Sequence, residues 1–378
     1  MIEGLDDIDG LTKGSFALFI KVHHAAADGA GSVEILQAIH DLQAKPRAHN
    51  GSGATTLDRQ PATTEGMPTT SKLLSTAVRN SLRSPLRLVN VARRSLTSSV
   101  NDLMHSNRKT QAVQLKVART RFSAAVSAQR VFGAVNLETE RIKEIRSLVK
   151  GATANDVVLA IVAGGLRQYL EDKNELPQES LVSGVPANMR GRSSESGGGN
   201  EVSVMRVPMA THIKSPLKRL KAISEATSVA KEELASRGES IMSDIGESIP
   251  PLVASLGIRA MTEAGLIART PPVFNTIVSN VPGAQVPHYL AGARLVQSLG
   301  AAPCWDSMGL FHTVSSYESS FAISFQACQG MLPDPEFYEH CLDAAVAELY
   351  EYTKTSKRRD RVSDRSLRAA KRSVREAA

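Results

Sequence analysis

Within seven residues, His23-His24-Ala25-Ala26-Ala27-Asp28-Gly29, the chain sets two imidazoles, a carboxylate and a glycine. A neutral imidazole can take the proton from an alcohol or amine as that group attacks an acyl carbon, and its ordinary pKa lies close to working pH. Adjacent side chains on extended backbone point to opposite faces, so the two histidines cannot share one task. One of the two, His23 or His24, would be the general base, with the other turned the opposite way. Asp28 follows His24 by four residues, past a turn, and its expected task is a charge pair that locks the corner. Gly29 admits a tight backbone turn. No Gly-x-Ser-x-Gly elbow supplies a serine nucleophile, which argues against a lipase-like mechanism, and no covalent acyl-enzyme is required.

Two elements must hold these groups. Residues 14–22 (GSFALFIKV) alternate Phe16, Leu18, Ile20 and Val22 against Ala17, Phe19 and Lys21, which predicts a strand buried on at least one face. After Gly29-Ala30-Gly31 the apolar residues recur at Val33, Leu36 and Ile39, a helical spacing that Ser32 can cap. The histidines then occupy a strand-to-helix corner, where a side chain is held rigidly and faces a cavity. Gly29-Ala30-Gly31 has no third glycine at dinucleotide-binding spacing, and no Lys-Ser/Thr follows the glycine loop Ser194 to Asn200, so neither reads as a phosphate cradle.

Further along, Gly151-Ala152-Thr153 leads into a helix whose Val157, Val158, Leu159, Ile161, Val162, Leu166 and Leu170 cover most of its circumference, which predicts burial. Asn155 and Asp156 fall in its first turn, where they complement free N–H groups. A strand from Phe274 to Asn280 ends in Val281-Pro282-Gly283. The Asn280 amide either donates to a developing oxyanion, a contribution on the order of 3 kcal/mol in other enzymes, or ties the turn to nearby backbone.

Together these stretches resemble the HHxxxDG acyltransferases and, within them, the bacterial wax ester synthase/diacylglycerol acyltransferase family. Residues 154–160 (ANDVVLA) are similar to that family's Asn-Asp helix start, and residues 185–190 (VPANMR) to its Pro-x-Asn-x-Arg segment. Residues 279–283 (SNVPG), followed by 289–295 (YLAGARL), resemble its C-terminal signature. The likeness runs over roughly residues 1–352 and implies an α/β (α+β) fold of two chloramphenicol-acetyltransferase-like halves, with mixed sheets and a tunnel between them. It implies transfer of a fatty acyl group to diacylglycerol or a long-chain alcohol from acyl-coenzyme A, which acts as a substrate; no cofactor or metal is expected. His24, His23, Asp28 and Gly29 would form the catalytic group, with Asn280, Asn155 and Asp156 as substrate-binding or oxyanion residues. Family members carry a longer segment ahead of the double histidine, so the N-terminal half is expected to be incomplete, and Asp306-Ser307 stands where the family more often has Asp-Gly. Two other readings share these residues: a condensation-type enzyme with carrier-bound amine acceptors, and an inactive, truncated paralogue that binds lipid surfaces. Leu290 to Leu295 and the Asn-Asp helix favour the lipid branch.

A chain of 378 residues with 42% hydrophobic content has material for two domains. Cys304, Cys328 and Cys341 are odd in number and lack CxxC spacing, which excludes a disulfide framework or a zinc site and fits buried thiols in a reducing cytosol. The acidic start MIEGLDDIDG has no signal-peptide pattern, and the apolar run Val157 to Leu166 is too short to span a membrane, so a cytoplasmic protein is expected. From Lys354 onward ten Lys or Arg face three Asp or Glu, which accounts for the whole net charge of +7. Such a tail reads as a solvated or disordered end, or as a dock for an anionic membrane or lipid droplet. It contains no aromatic residue, which argues against nucleic acid.

The expected division is 1–43, the remainder of the N-terminal half; 44–110, a low-complexity connector and two basic amphipathic crossover helices restarted at Ser84-Pro85; 111–353, the C-terminal half; and 354–378, the tail. Within the C-terminal half short strands are expected at Arg121-Phe122, Val131–Val135, Leu181–Val185, Val202–Val207, Ala293–Ser298, Leu310–Ser316 and Phe321–Gln326. Helices are expected over 137–149, 215–236, 249–268 and Pro335 to about Tyr352. Leu252, Leu256, Ile258 and Ile267 form an apolar flank on the third, suited to core packing or to a tunnel wall. His312 carries no assigned role.

Overall fold

The structure, a computed structural model, describes residues 1–8, 10–23, 29–45, 71, 75, 117–188, 202–237 and 251–376. Its strands are β1 (Arg130–Glu138), β2 (Val182–Asn188), β3 (Val202–Pro208), β4 (Thr276–Val281), β5 (Tyr289–Leu290), β6 (Ala293–Arg294), β7 (Leu310–Tyr317) and β8 (Ser320–Cys328). Its helices are α1 (Gly29–Ile39), α2 (Thr139–Ser147), α3 (Ala154–Asp172), α4 (Pro216–Arg237), α5 (Pro251–Glu263), α6 (Leu266–Arg269) and α7 (Pro335–Glu376).

Six strands form one mixed sheet in the order β1-β8-β7-β4-β2-β3. The hairpin pairs are antiparallel, while β4 runs parallel to both neighbours, β7 and β2. One face of this sheet is covered by helices. Val135 and Leu137 of β1, Ile323 and Phe325 of β8, and Val314 and Val278 of β7 and β4 are buried there with α3, which is 0–1% exposed from Val157 to Ala163 and at Leu166. At about 1.5–3 kcal/mol for each large apolar side chain removed from water, this layer dominates the stability of the fold. α7 lies against α3 and β1, and α4 against α3 and β3. Gly165 permits the close α3–α7 approach, since a Cβ there would stand 2.7 Å from Leu342 Cδ2.

Pro186 sits inside β2 rather than in a loop after it. Its tolerance follows from the ladder: β4 pairs with β2 at Ser183 and Gly184, so Pro186 lies beyond that edge and needs no donor toward β4. The rest of the Pro-x-Asn-x-Arg segment, Met189 and Arg190, and the glycine loop lie outside the described residues.

Several expectations need correction. Residues 14–22 form no strand; among the described residues their ladder contact is the isolated bridge between Ala17 and Ile2. Leu18, Phe19, Ile20 and Val22 stay 37–69% exposed. Alternation marks what a strand would bury once paired, and pairing requires a neighbour. Arg121-Phe122 form a turn, and the strand expected over Ala293–Ser298 shrinks to the two residues of β6. The helix expected over 249–268 breaks at Gly265 (φ +64°) into α5 and α6, and two residues of its expected flank face solvent, with Leu256 58% and Ile258 60% exposed. The tail is helix: α7 runs 42 residues to Glu376. It holds no glycine or proline after Pro335 and is rich in Arg, Lys and Ala, so helix propensity outweighs the compositional mark of disorder. Apart from the helical Ser71 and Ser75, the connector beyond Lys45 and the crossover helices lie outside the described residues. The three thiols are buried and unpaired.

Candidate active site

Of the HHxxxDG stretch, His23 and Gly29 are described, and His24 and Asp28 lie outside the described residues. His23 is exposed and belongs to no helix or strand, and Gly29 opens α1. The helix thus starts three residues before the expected cap at Ser32.

What the structure fixes is the position of α1. The helix touches β4, the strand that carries Asn280. Just past its C-terminus, the Asp41 N–H donates to the Tyr289 carbonyl at 2.7 Å, and the Tyr289 N–H donates back to Asp41 at 2.8 Å. The His40 ring lies 5.9 Å from that of His288, and His40 Nδ1 bonds the Leu36 carbonyl at 2.6 Å. The helix that opens at the first motif therefore ends on the residues of the last.

Those residues are themselves held. β5 and β6 form a hairpin turned by Ala291 (φ +50°) and Gly292 (φ +88°), the pair of positive angles that a type I′ turn needs. The His288 N–H donates to Tyr317 Oη at 2.9 Å, and the Arg294 guanidinium grips both carboxylate oxygens of Glu318 at 3.0 and 3.1 Å. The short β5–β6 hairpin is thereby tied to the end of β7, which continues through Tyr317.

Asn280 is half-buried near the end of β4. Alternation puts it on the side of Thr276 and Val278, and Thr276 is locked into the core. The Thr276 hydroxyl donates to the Leu310 carbonyl at 3.0 Å, so it accepts from His312 Nδ1–H at 2.9 Å, and His312 Nε2 accepts from the Tyr338 hydroxyl at 2.8 Å. Burial alone holds the His312 imidazole neutral, with its pKa pushed down to about 3. The chain Thr276–His312–Tyr338 ties β4 and β7 to α7 and gives His312 a structural role. Beyond Asn280, the Gly283 N–H donates to Ser316 Oγ at 3.1 Å, and a Cβ on Gly283 would collide with the Ser316 carbonyl oxygen. The strand end bearing Asn280 is thus pinned on both sides.

Asn155 and Asp156 are placed differently. Asp156 Oδ2 accepts from the Thr153 N–H at 2.8 Å, and the Asp156 N–H donates back to Thr153 Oγ1 at 3.3 Å, a complete capping box. Asp156 is 2% exposed, and Asn155 is half-buried beside it at the start of α3. α3 packs with α2, α4 and α7, whereas α1 and β4 meet each other.

Sequence reasoning missed a row of hydroxyls on the other face of the sheet. Thr313 Oγ1 and Ser324 Oγ both donate to the Gly300 carbonyl, at 2.6 and 2.7 Å, and Ser315 Oγ donates to the Ser298 carbonyl at 2.5 Å. They pin the segment after β6 across the sheet. Their signal was present as the polar alternation Thr313, Ser315 in a strand.

A mixed sheet with helices on one face, and a helix opening at Gly29 and seated on the central parallel strand, is a chloramphenicol-acetyltransferase-like fold. The chain belongs to the wax ester synthase/diacylglycerol acyltransferase family. Residues 5–158 match the family model described as the wax ester synthase/diacylglycerol acyltransferase catalytic domain, and residues 198–350 match the WS/DGAT C-terminal domain. Among curated relatives, Rv3740c of Mycobacterium tuberculosis H37Rv, by name a candidate diacylglycerol O-acyltransferase, is 29% identical over 360 residues, covering 90% of this chain and 72% of that protein. The diacylglycerol O-acyltransferase homologue tgs2 of the same strain is 28% identical over 363 residues with the same coverage. The solved wax ester synthase/diacylglycerol acyltransferase from Marinobacter aquaeolei VT8 is 25% identical with a TM-score of 0.51, over 63% of this chain and 53% of that one. The chain thus spans about half the length of that solved relative.

Proposed function

We propose that this chain moves a fatty acyl group from acyl-coenzyme A to the hydroxyl of diacylglycerol, to form triacylglycerol, or of a long-chain alcohol, to form a wax ester. His24 removes the acceptor proton, and the oxygen attacks the thioester carbonyl directly. The tetrahedral oxyanion, for which Asn280 is the candidate donor, collapses with departure of the coenzyme A thiolate, which takes up the proton held on His24. Asp28 and Gly29 hold the corner, and His23 faces away. No resident cofactor or metal enters these steps. The work is done in the cytoplasm against a lipid surface.

The observation that carries this reading is the seat of α1: the helix following the double histidine touches the Asn280 strand and is locked by Asp41 to the Tyr289 signature. Asp156 Oδ2 serves the cap of α3, and this reading assigns Asn155 and Asp156 no step in the transfer.

The test is release of free coenzyme A by the full chain given palmitoyl-coenzyme A with diacylglycerol or hexadecanol, beside His24→Ala. A positioned base contributes about 10²–10⁴ in rate, so turnover should fall at least a hundredfold in the variant with the melting curve unchanged. Turnover that survives places the base elsewhere, and the better acceptor names the product.

A further inference from the structure

The last helix carries a regularity that packing does not use. The face of α7 buried in the core passes through Leu342, Val346, Leu349 and Thr353. Continued at the helix period it meets Ser356, Asp360 and Ser363, so the apolar seam ends with the core. About a third of a turn away, positions 354, 358, 361, 365, 368, 372 and 375 advance by four and three residues along one stripe. Every one is cationic: Lys354, Arg358, Arg361, Arg365, Arg368, Arg372 and Arg375. The stripe extends about 32 Å along the axis. Like charges at these spacings repel along a helix face, and Asp360 and Asp364, which stand off the stripe toward the continued core seam, offset only part of that repulsion. An opposing array of anions removes the rest.

We propose that this stripe docks the protein on an anionic lipid surface, lying along the headgroups while the first half of α7 stays packed on the sheet. The proposal rests on the lipid acyltransferase reading, because both acceptor and product reside at such a surface. Charge complementarity is its physical basis, and the rest of the segment agrees. From Lys354 onward there is no aromatic ring to stack on a nucleobase, and the larger apolar side chains are Leu367, Val362 and Val374 alone. A helix so poor in apolar bulk sits at headgroup level and is held by charge, so its binding is salt-sensitive.

The experiment is cosedimentation of the full chain with phosphatidylcholine vesicles, with and without phosphatidylglycerol, over a salt series. One variant neutralises four cations (R361Q, R365Q, R368Q, R372Q). A second exchanges nearby pairs (R361V with V362R, R365S with S363R, R368L with L367R, R372S with S373R), which keeps composition and net charge while scattering four of the seven cations around the helix. At roughly fivefold per cation, the neutralised variant should partition at least a hundredfold less to phosphatidylglycerol vesicles, and the exchanged variant at least tenfold less, both with unchanged melting. Wild-type binding should fall as salt rises. Equal binding by wild-type and exchanged proteins, no preference for phosphatidylglycerol, or tighter binding to duplex DNA at equal phosphate concentration overturns the proposal. Two controls separate it from the catalytic reading: both variants should release coenzyme A at the wild-type rate with the soluble acceptor hexanol, and His24→Ala should bind vesicles as wild type does. A chain that binds through the stripe yet never turns over overturns the catalytic reading and leaves the docking face standing.

Discussion

Asp41 and Tyr289 exchange both of their backbone hydrogen bonds, N–H to carbonyl in each direction, at 2.7 and 2.8 Å. This single antiparallel bridge seats the helix of the first motif on the hairpin of the last, and the hairpin depends on Gly292, which has φ +88° and whose Cβ position lies 3.1 Å from the Ala44 carbonyl oxygen. Gly292→Val should cost about 1–3 kcal/mol in urea denaturation through backbone strain. Coenzyme A release should fall further than unfolding explains, measured where both proteins are fully folded. An unchanged rate in the folded variant would mean that the hairpin does not position the site.

His312 makes stability depend on acid. Its folded pKa of about 3 lies below the 6.5 of an ordinary imidazole, so the unfolded chain binds the extra proton between those values. Its contribution is level above pH 6.5 and declines by about 1.4 kcal/mol for each pH unit below, down to about pH 3. His312→Gln should be less stable at pH 7 and show a shallower decline from pH 6.5 to 4. Parallel curves for the two proteins would show that the ring is not buried neutral.

Gly165 should behave against helix propensity. A mid-helix Gly→Ala change ordinarily gains about 1 kcal/mol, but here the methyl would stand 2.7 Å from Leu342 Cδ2 and push α7 off α3. Gly165→Ala is expected to lose about 1–3 kcal/mol. A rise in Tm would show that the two helices are further apart.

Thr153→Ala removes one half of the capping box and should cost about 1 kcal/mol. Asp156→Asn should destabilise while leaving the turnover of folded protein near wild type, because Oδ2 of the carboxylate is committed to the Thr153 N–H at the helix start. A large fall in kcat without loss of Tm would return Asp156 to the site.

The elements that sequence made legible are those with a local signature. α3 is apolar on nearly every side, Thr153 and Asp156 stand at capping-box spacing, and β7 and β8 alternate over their length. The Asn280 strand was equally plain, ending at Pro282-Gly283. What was not legible is how distant pieces meet. Nothing near Asp41 announces Tyr289, and β1 is joined to β8 across most of the C-terminal half. Residues 14–22 show the converse failure: their alternation is genuine, yet Leu18 is 45% exposed because a strand is a property of a pair. The tail was misjudged because charge was weighed ahead of the propensity of Arg, Lys and Ala.

The element order sets a schedule for synthesis. α3 leaves the ribosome with apolar residues on nearly every side, but α7, the helix that packs along it, is made after every other described element. At about 5–20 residues per second, the roughly 180 intervening residues take on the order of 10–40 s. For that interval the nascent chain holds a hydrophobic helix covered by α2 and α4 but not yet by α7, so chaperone engagement during translation is expected to govern how much of this protein a cell can accumulate.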